Sequence, residues 1–401
     1  MNRRQFLADL CLVLGGAGIA GLMWPSGAPG PSPTPAGSPA PPAAAERFDP
    51  ATGRARLAEL ERLGFHPREA MFWEKTSDGR VRCLLCPKFC TLRPYERGNC
   101  RVRFGLENRL VTVVYGRPCS VAIDPIEKKP VFHYLPGSTS FSLATAGCLL
   151  SCRYCQNWQI SQADPESLEA YDLAPAQVVE TAAAQGCRTI AYTYTEPTIF
   201  YEYMFDTARL AKARGIGNVV VSCGYLNPEP LAHLAPFLDV MKVDLKGFTE
   251  RFYRTVCGGT LAPVLATLQG LARTKVLIDI VTLVVPTLND DEPTMTAMFT
   301  WIHQHLGPDV SLFLSRFYPT FQLRNLPPTP VATLERLRDL ALATGLRYVY
   351  LGNVPGHPAE STYCPGCHKL LIGRVGYQLT ERHISRGACA FCGHAIPGVW
   401  E

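Results

Sequence analysis

The chain has 401 residues, of which 47% are hydrophobic and 18% charged, with 39 basic and 34 acidic side chains. That composition excludes a disordered chain, and a net charge of only +5 excludes a strongly basic nucleic-acid carrier, so no nucleic-acid partner is expected. The length suits one large domain with appendages, and 16 cysteines, 11 of them in three tight groups, point to metal or cluster chemistry.

At the N-terminus, Asn2-Arg3-Arg4-Gln5-Phe6-Leu7 resembles the twin-arginine export motif, and an apolar run from Leu10 to Trp24 follows it. A membrane-spanning helix needs roughly 20 apolar residues, so a signal for export or membrane tethering is expected rather than a span. Pro25 to Ala45 then carries eight prolines among small residues, the composition of an extended spacer, and Ala43-Ala44-Ala45 offers a cleavage site. Residues 1–46 are read as address and spacer.

Residues 47–139 read as a Cys-rich cap. Its group, Cys83-x2-Cys86-x3-Cys90-x9-Cys100, places four thiolates in 18 residues, enough to enclose zinc or an iron–sulfur cluster. The spacing is irregular for a zinc finger and leaves both open.

From residue 140 to 352 short β-rich runs alternate with helical patterns. The predicted strands are Phe141–Ala146, Thr189–Thr193, Asn218–Ser222, Val240–Val243, Val276–Val284 and Ser311–Arg316, with Tyr348–Leu351 as an edge strand. Helices are predicted over Pro175–Gln185, Ile199–Arg214, Pro293–His305 and Val331–Thr344, and Gly186, Gly215 and Gly345 stand where helices should stop. This alternation predicts an α/β fold, a parallel sheet with helices outside. In such folds chemistry collects beyond the C-terminal strand ends. Those ends carry Cys148, Glu196, Ser222, Asp244 with Lys246, Asn289-Asp290 and Arg316.

The first strand runs into Cys148-Leu149-Leu150-Ser151-Cys152-Arg153-Tyr154-Cys155. Iron–sulfur clusters normally take four thiolates, and this compact group offers three, leaving one coordination position open. The C-x3-C-x2-C spacing, with an aromatic before the last cysteine, resembles the radical S-adenosylmethionine (radical SAM) enzymes. The resemblance implies a partial TIM-type (β/α)6 barrel and a [4Fe-4S] cluster on Cys148, Cys152 and Cys155. It further implies that the open iron chelates S-adenosylmethionine, and that an electron from a low-potential donor cleaves it to methionine and a 5′-deoxyadenosyl radical.

Other segments carry the same resemblance. Thr193-Tyr194-Thr195-Glu196-Pro197-Thr198 occupies the place of the Gly-Gly-Glu segment that holds the cofactor's amino group, which would make Glu196 its carboxylate; the bland reading is a helix-capping Glu. Asp244-Leu245-Lys246 resembles the Asp-Leu-Lys of glycyl-radical-enzyme activases, where these side chains contact the cofactor's ribose and carboxylate; otherwise they form an ion pair at a strand end. Ser222 is a further candidate for the cofactor carboxylate, or satisfies a turn before Gly224.

Cys155-Gln156-Asn157-Trp158-Gln159-Ile160-Ser161, Arg117-Pro118-Cys119, Asp124-Pro125-Ile126-Glu127-Lys128-Lys129-Pro130 and Tyr350-Leu351-Gly352-Asn353-Val354-Pro355-Gly356 resemble the AmmeMemoRadiSam-system radical SAM enzymes. That implies Memo-like and AMMECR-like proteins as partners. Activation of a glycyl-radical enzyme is the second enzymatic reading, and a non-catalytic multi-metal protein the reading from another class. The C-terminal extension, residues 353–401, carries Cys364-Pro365-Gly366-Cys367 and Cys389-Ala390-Phe391-Cys392, a zinc-ribbon-like pattern with an iron site as rival. Cys257 stands alone and reads as a buried thiol, or as a radical-relay thiol near the site. No residue identifies the substrate.

Overall fold

The computed structural model describes residues 49–401; the export-like motif, apolar run and spacer lie outside the described residues. A helix over Pro50–Arg62 opens the cap, its first turn satisfied by the Asp49 side chain. Six short strands follow: β1 (Arg68–Glu69), β2 (Trp73–Lys75), β3 (Val81–Cys83), β4 (Thr91–Leu92), β5 (Arg103–Leu106) and β6 (Arg109–Thr112). They make two antiparallel sheets, ordered β1-β6-β5 and β2-β3-β4.

The body is one eight-stranded sheet. Its strands are β7 (Ser120–Pro125), β8 (Thr139–Ala144), β9 (Thr189–Tyr192), β10 (Gly217–Ser222), β11 (Val240–Asp244), β12 (Leu277–Val284), β13 (Ser311–Arg316) and β14 (Tyr348–Gly352). They lie in sequence order, β8 to β14 parallel and β7 antiparallel at the edge, and the order is linear, so the barrel is open. The run Val219-Val220-Val221 is apolar on both faces because Val220 packs toward the helices while Val219 and Val221 pack against Ile126, Val131, Tyr134 and Leu135. Helices Pro175–Ala184, Tyr201–Ala213, Glu292–Leu306 and Val331–Ala343 lie within a residue or two of their predicted bounds. Gly186, Gly215 and Gly345 follow three of them at positive φ. Among the described residues, no helix is long and apolar enough to cross a membrane.

The fold departs from the sequence reading in two places. The cap was expected to reach residue 139, yet β7 belongs to the barrel sheet, pairing Ser120 to Pro125 with Ala144 to Thr139. The helix expected from Ile199 begins as a 3-10 turn over Pro197–Phe200. Proline starts that turn, and the α-helix proper begins at Tyr201.

The C-terminal extension adds β15 (Thr362–Tyr363), β16 (Leu370–Val375), β17 (Gln378–Arg382), β18 (Ile384–Ser385) and β19 (Ala388–Cys389). It packs on the sheet face opposite the helices: Leu371, Ile372, Ile396 and Trp400 form one core with Val281, Phe313, Tyr348 and Tyr350. The open barrel is thereby plugged by its own C-terminal segment.

Candidate active site at the strand ends

A cavity of about 460 Å³ opens at the C-terminal ends of β8 to β11. Cys148, Cys152 and Cys155 line it from the loop after β8, Glu196 from the end of β9, Ser222 from β10, and Asp244 with Lys246 from the end of β11. The fold thus brings together seven residues spread over 99 positions of sequence. Parallel strands do this by construction, since every strand end points the same way.

Backbone bonds from a distant segment help to hold the cysteine loop. Ser151 N–H donates to the Cys257 carbonyl and Arg153 N–H to that of Val256, each at 2.9 Å. Gly258, at φ +72°, lies so close that a Cβ there would meet Ser151 Oγ at 2.3 Å. Val256-Cys257-Gly258-Gly259 is therefore a clamp for the loop, a role its sequence does not announce. Gly147, at φ +93°, starts the loop, and a Cβ on it would strike the Cys100 carbonyl at 2.4 Å. Burial, with the Glu196 charge next, pushes the Cys148 thiol well above its ordinary pKa. Metal binding there must therefore expel a proton.

Glu196 is buried and its oxygens are unequally used. Oε1 accepts from Thr198 N–H (3.1 Å), the Thr198 hydroxyl (2.7 Å) and the Ser222 hydroxyl (2.7 Å). Oε2 accepts from Cys223 N–H at 2.7 Å, and the Cys223 thiol also bonds the carboxylate, which leaves Oε2 the less crowded oxygen. The helix-capping role is present at Oε1, and Oε2 stays available to a cation. Ser222 gives its one proton to Glu196 and accepts from Gly224 N–H at 2.9 Å, so it orients the carboxylate and satisfies the turn at once.

Asp244 bridges two lysines, accepting from Lys242 at one oxygen and from Lys246 at the other, the latter at 2.9 Å. Burial raises the Asp244 carboxyl, but the two ammonium groups hold it down at about 2. Asp244 and Lys246 are an ion pair, as the alternative reading had it, yet a largely shielded one that faces the cavity.

The opposite wall went unassigned in the sequence. Asp124 on β7 accepts from Lys128 at 2.7 Å and also from Lys129 and the Tyr194 hydroxyl. Lys129 sits 4.5 Å from the centre of the Tyr194 ring, and burial pulls its ammonium down to about 8. Tyr194 itself takes φ +62°, with its carbonyl held by Asn157 Nδ2 at 2.8 Å. Cys223 also lines the cavity, beside Glu196. Charge clustering in Asp-Pro-Ile-Glu-Lys-Lys-Pro was a visible signal; the Cys223 position was not.

The two flanking quartets differ in geometry. Among the described residues, Cys364, Cys367, Cys389 and Cys392 form the one cysteine group whose ligand atoms all lie within 4.8 Å of one another. The Cys364–Cys392 and Cys367–Cys389 sulfurs are 3.6 and 3.7 Å apart. Bonds of about 2.3 Å to a tetrahedral ion put thiolates about 3.8 Å apart, so this quartet is shaped for one metal ion. Cys83, Cys86, Cys90 and Cys100 line a single apolar cavity of their own.

Residues 142–300 match the model of the radical SAM superfamily. An uncharacterized protein of Methanocaldococcus jannaschii is 43% identical over 331 residues, which cover 82% of this chain and 98% of that one. The pyruvate formate-lyase-activating enzyme of Listeria monocytogenes is 25% identical over 172 residues, 40% of this chain and 68% of that one. A radical SAM methyltransferase from Sphaerobacter thermophilus overlays with TM-score 0.44 at 16% identity, covering 75% of this chain and 80% of that one. With the strand-end site in place, the chain belongs to the radical SAM superfamily and is an S-adenosylmethionine-dependent enzyme. Membership implies a [4Fe-4S] cluster and S-adenosylmethionine, and the donor set fits: three thiols from one loop beside a carboxylate with a spare acceptor site.

Proposed function

We propose that Cys148, Cys152 and Cys155 hold the [4Fe-4S] cluster and that S-adenosylmethionine binds between their loop and the ends of β9, β10 and β11. When bound, the pair supplies one-electron reductive cleavage of the sulfonium, giving methionine and a 5′-deoxyadenosyl radical that abstracts a substrate hydrogen. Glu196 Oε2 receives the cofactor ammonium, because a charge-assisted bond gains most in a shielded site. Ser222 and Thr198 fix that carboxylate. Lys246, oriented by Asp244, reaches the cofactor carboxylate, and Asp244 the ribose. The C-terminal quartet holds zinc or a single iron.

The observation that carries this reading is the single cavity shared by three thiols, Glu196 and the Asp244–Lys246 pair. Anaerobic reconstitution with iron and sulfide, then dithionite and S-adenosylmethionine, should yield 5′-deoxyadenosine. Cys148→Ala should abolish it and release the iron of that site. No 5′-deoxyadenosine from the wild type, with iron unchanged in the variant, refutes the assignment.

Within the superfamily we place the chain with the AmmeMemoRadiSam-type enzymes, supported by Lys128 and Lys129 of the Asp124–Pro130 motif on the cavity wall. Memo-like and AMMECR-like proteins are then its partners, and co-purification with them tests this. The activase reading draws on the same Asp244-Leu245-Lys246; it requires a glycyl-radical signal to appear in a partner chain.

A further inference from the structure

We infer that the cap quartet, Cys83, Cys86, Cys90 and Cys100, holds a second [4Fe-4S] cluster that relays electrons to the first. The inference rests on the cluster assignment above and extends it to a second site.

Three observations carry it. The first is spacing. Thiolates on one ion converge, as those of Cys364, Cys367, Cys389 and Cys392 do, all within 4.8 Å. Among the described residues neither the cap quartet nor the Cys148 trio meets that limit. Each thiolate of a cubane binds its own iron, so the whole cluster holds the ligands apart. The quartet, like the trio, lacks the convergence of the one-ion site, and four separated thiolates suit the four irons of a cubane.

The second is place. Cys148 lines the active-site cavity, while the next residue, Leu149, lines the quartet's cavity. Ile199 and Thr198 line that cavity too, just after Glu196. The Cys100 carbonyl lies against Gly147. The two cavities are therefore lined by adjacent residues of the same segments, Cys148 beside Leu149 and Glu196 close to Thr198 and Ile199.

The third is a hydrogen bond. Arg103 is 2% exposed, and its Nη1 lies 3.7 Å from Cys83 Sγ. The guanidinium is also paired with buried Glu202, so what it offers the sulfur is a donated N–H rather than net charge, and hydrogen bonds to cluster sulfurs are one of the recognised controls on potential. On the other side Cys86 and Cys90 are partly exposed, and Phe89 between them is 40% exposed, so the quartet also reaches the surface.

The step balances as one electron. A low-potential iron–sulfur or flavin protein loses it, the cap cluster gains it, and the cap cluster then returns to its first state by reducing the active-site cluster. No bond or proton changes hands in the relay.

The test uses the full chain, reconstituted anaerobically with iron and sulfide in the presence of zinc. The variant Cys148→Ala/Cys152→Ala/Cys155→Ala should keep about four irons and four sulfides per chain, with the resonance of a reduced cubane after dithionite. Adding Cys83→Ser and Cys86→Ser should remove them. Cys83→Ser/Cys86→Ser alone should lower donor-driven 5′-deoxyadenosine formation at least tenfold more than dithionite-driven formation. A trio variant that binds two zinc ions and no sulfide overturns the cluster, as does a full complement of four irons with sulfide that survives the added serines. Equal loss with both reductants overturns the relay. Because iron at the cap is counted in a chain without the trio, failure here is distinguishable from failure of the active-site assignment.

Discussion

At the scale of single residues, Glu196 and Asp279 give opposed uses of burial. Glu196 keeps one lightly used oxygen toward the cavity. Glu196→Gln removes the charge but keeps the shape, so S-adenosylmethionine affinity should fall tenfold or more, since bonds to charged groups contribute about 1.5–3 kcal/mol. Equilibrium dialysis of the reconstituted protein reads this; an unchanged affinity would leave Glu196 as a helix cap only. Asp279, on β12, is 4% exposed, and burial pushes its carboxyl up to about 7 despite Ser311 and Lys242. A raised carboxyl binds its proton more tightly folded than unfolded, so its stability cost grows as pH rises from about 4 through about 7. Asp279→Asn should therefore stabilise the protein at pH 8, by a cost on the order of 4 kcal/mol removed, and change little at pH 4. Thermal melts at the two pH values would show the contrast. Asp279 carries no motif, so its role was invisible in sequence, whereas the cysteines declare themselves through spacing alone.

At the scale of elements, period and punctuation made the barrel readable. β13 was placed to the residue, because Ser311 to Arg316 is a bounded β-rich run, and Gly215 and Gly345 marked the helix stops. What escaped depends on partners distant in sequence. β7 joins the barrel through its antiparallel pairing with β8, Val121 and Ile123 lying opposite Leu143 and Phe141, which no local pattern reveals. The Tyr253–Cys257 segment clamps the cysteine loop through carbonyl oxygens, and carbonyls leave no trace in residue identity. The cap–barrel joint is a similar case. Arg103 on β5 pairs with Glu202 in the helix after β9, both buried, and each also bonds Met71 backbone. Arg103→Leu leaves Glu202 charged and buried, a loss of about 3–5 kcal/mol. The double variant Arg103→Leu/Glu202→Leu should recover most of it in thermal unfolding. A single variant no worse than the double would show that the pair holds nothing together.

At the scale of the whole molecule, the C-terminal extension closes what the open sheet leaves bare. Arg374 on β16 lies 3.9 Å over the Phe132 ring and donates to the Phe132 carbonyl at 3.0 Å, and Trp400 packs beside His133. Its hairpin tip places Tyr377 at the active-site cavity. Removing the metal from Cys364, Cys367, Cys389 and Cys392 should therefore loosen a plug as well as a knuckle. A chelator, or Cys389→Ser, should bring protease cleavage into residues 364–401 while the iron of the Cys148 site stays bound. Cleavage elsewhere first, or none, would separate the quartet from the plug. The contact of the Cys100 carbonyl with Gly147 has a consequence for biosynthesis. The cap leaves the ribosome first, yet the surfaces that seat it, Gly147, Ile199, Glu202 and Gly258, are made up to 158 residues after Cys100. Its four thiols have all been made before the clamp segment emerges and the barrel forms against them. Translation thus presents the cap quartet to metal before the residues of the active site are complete.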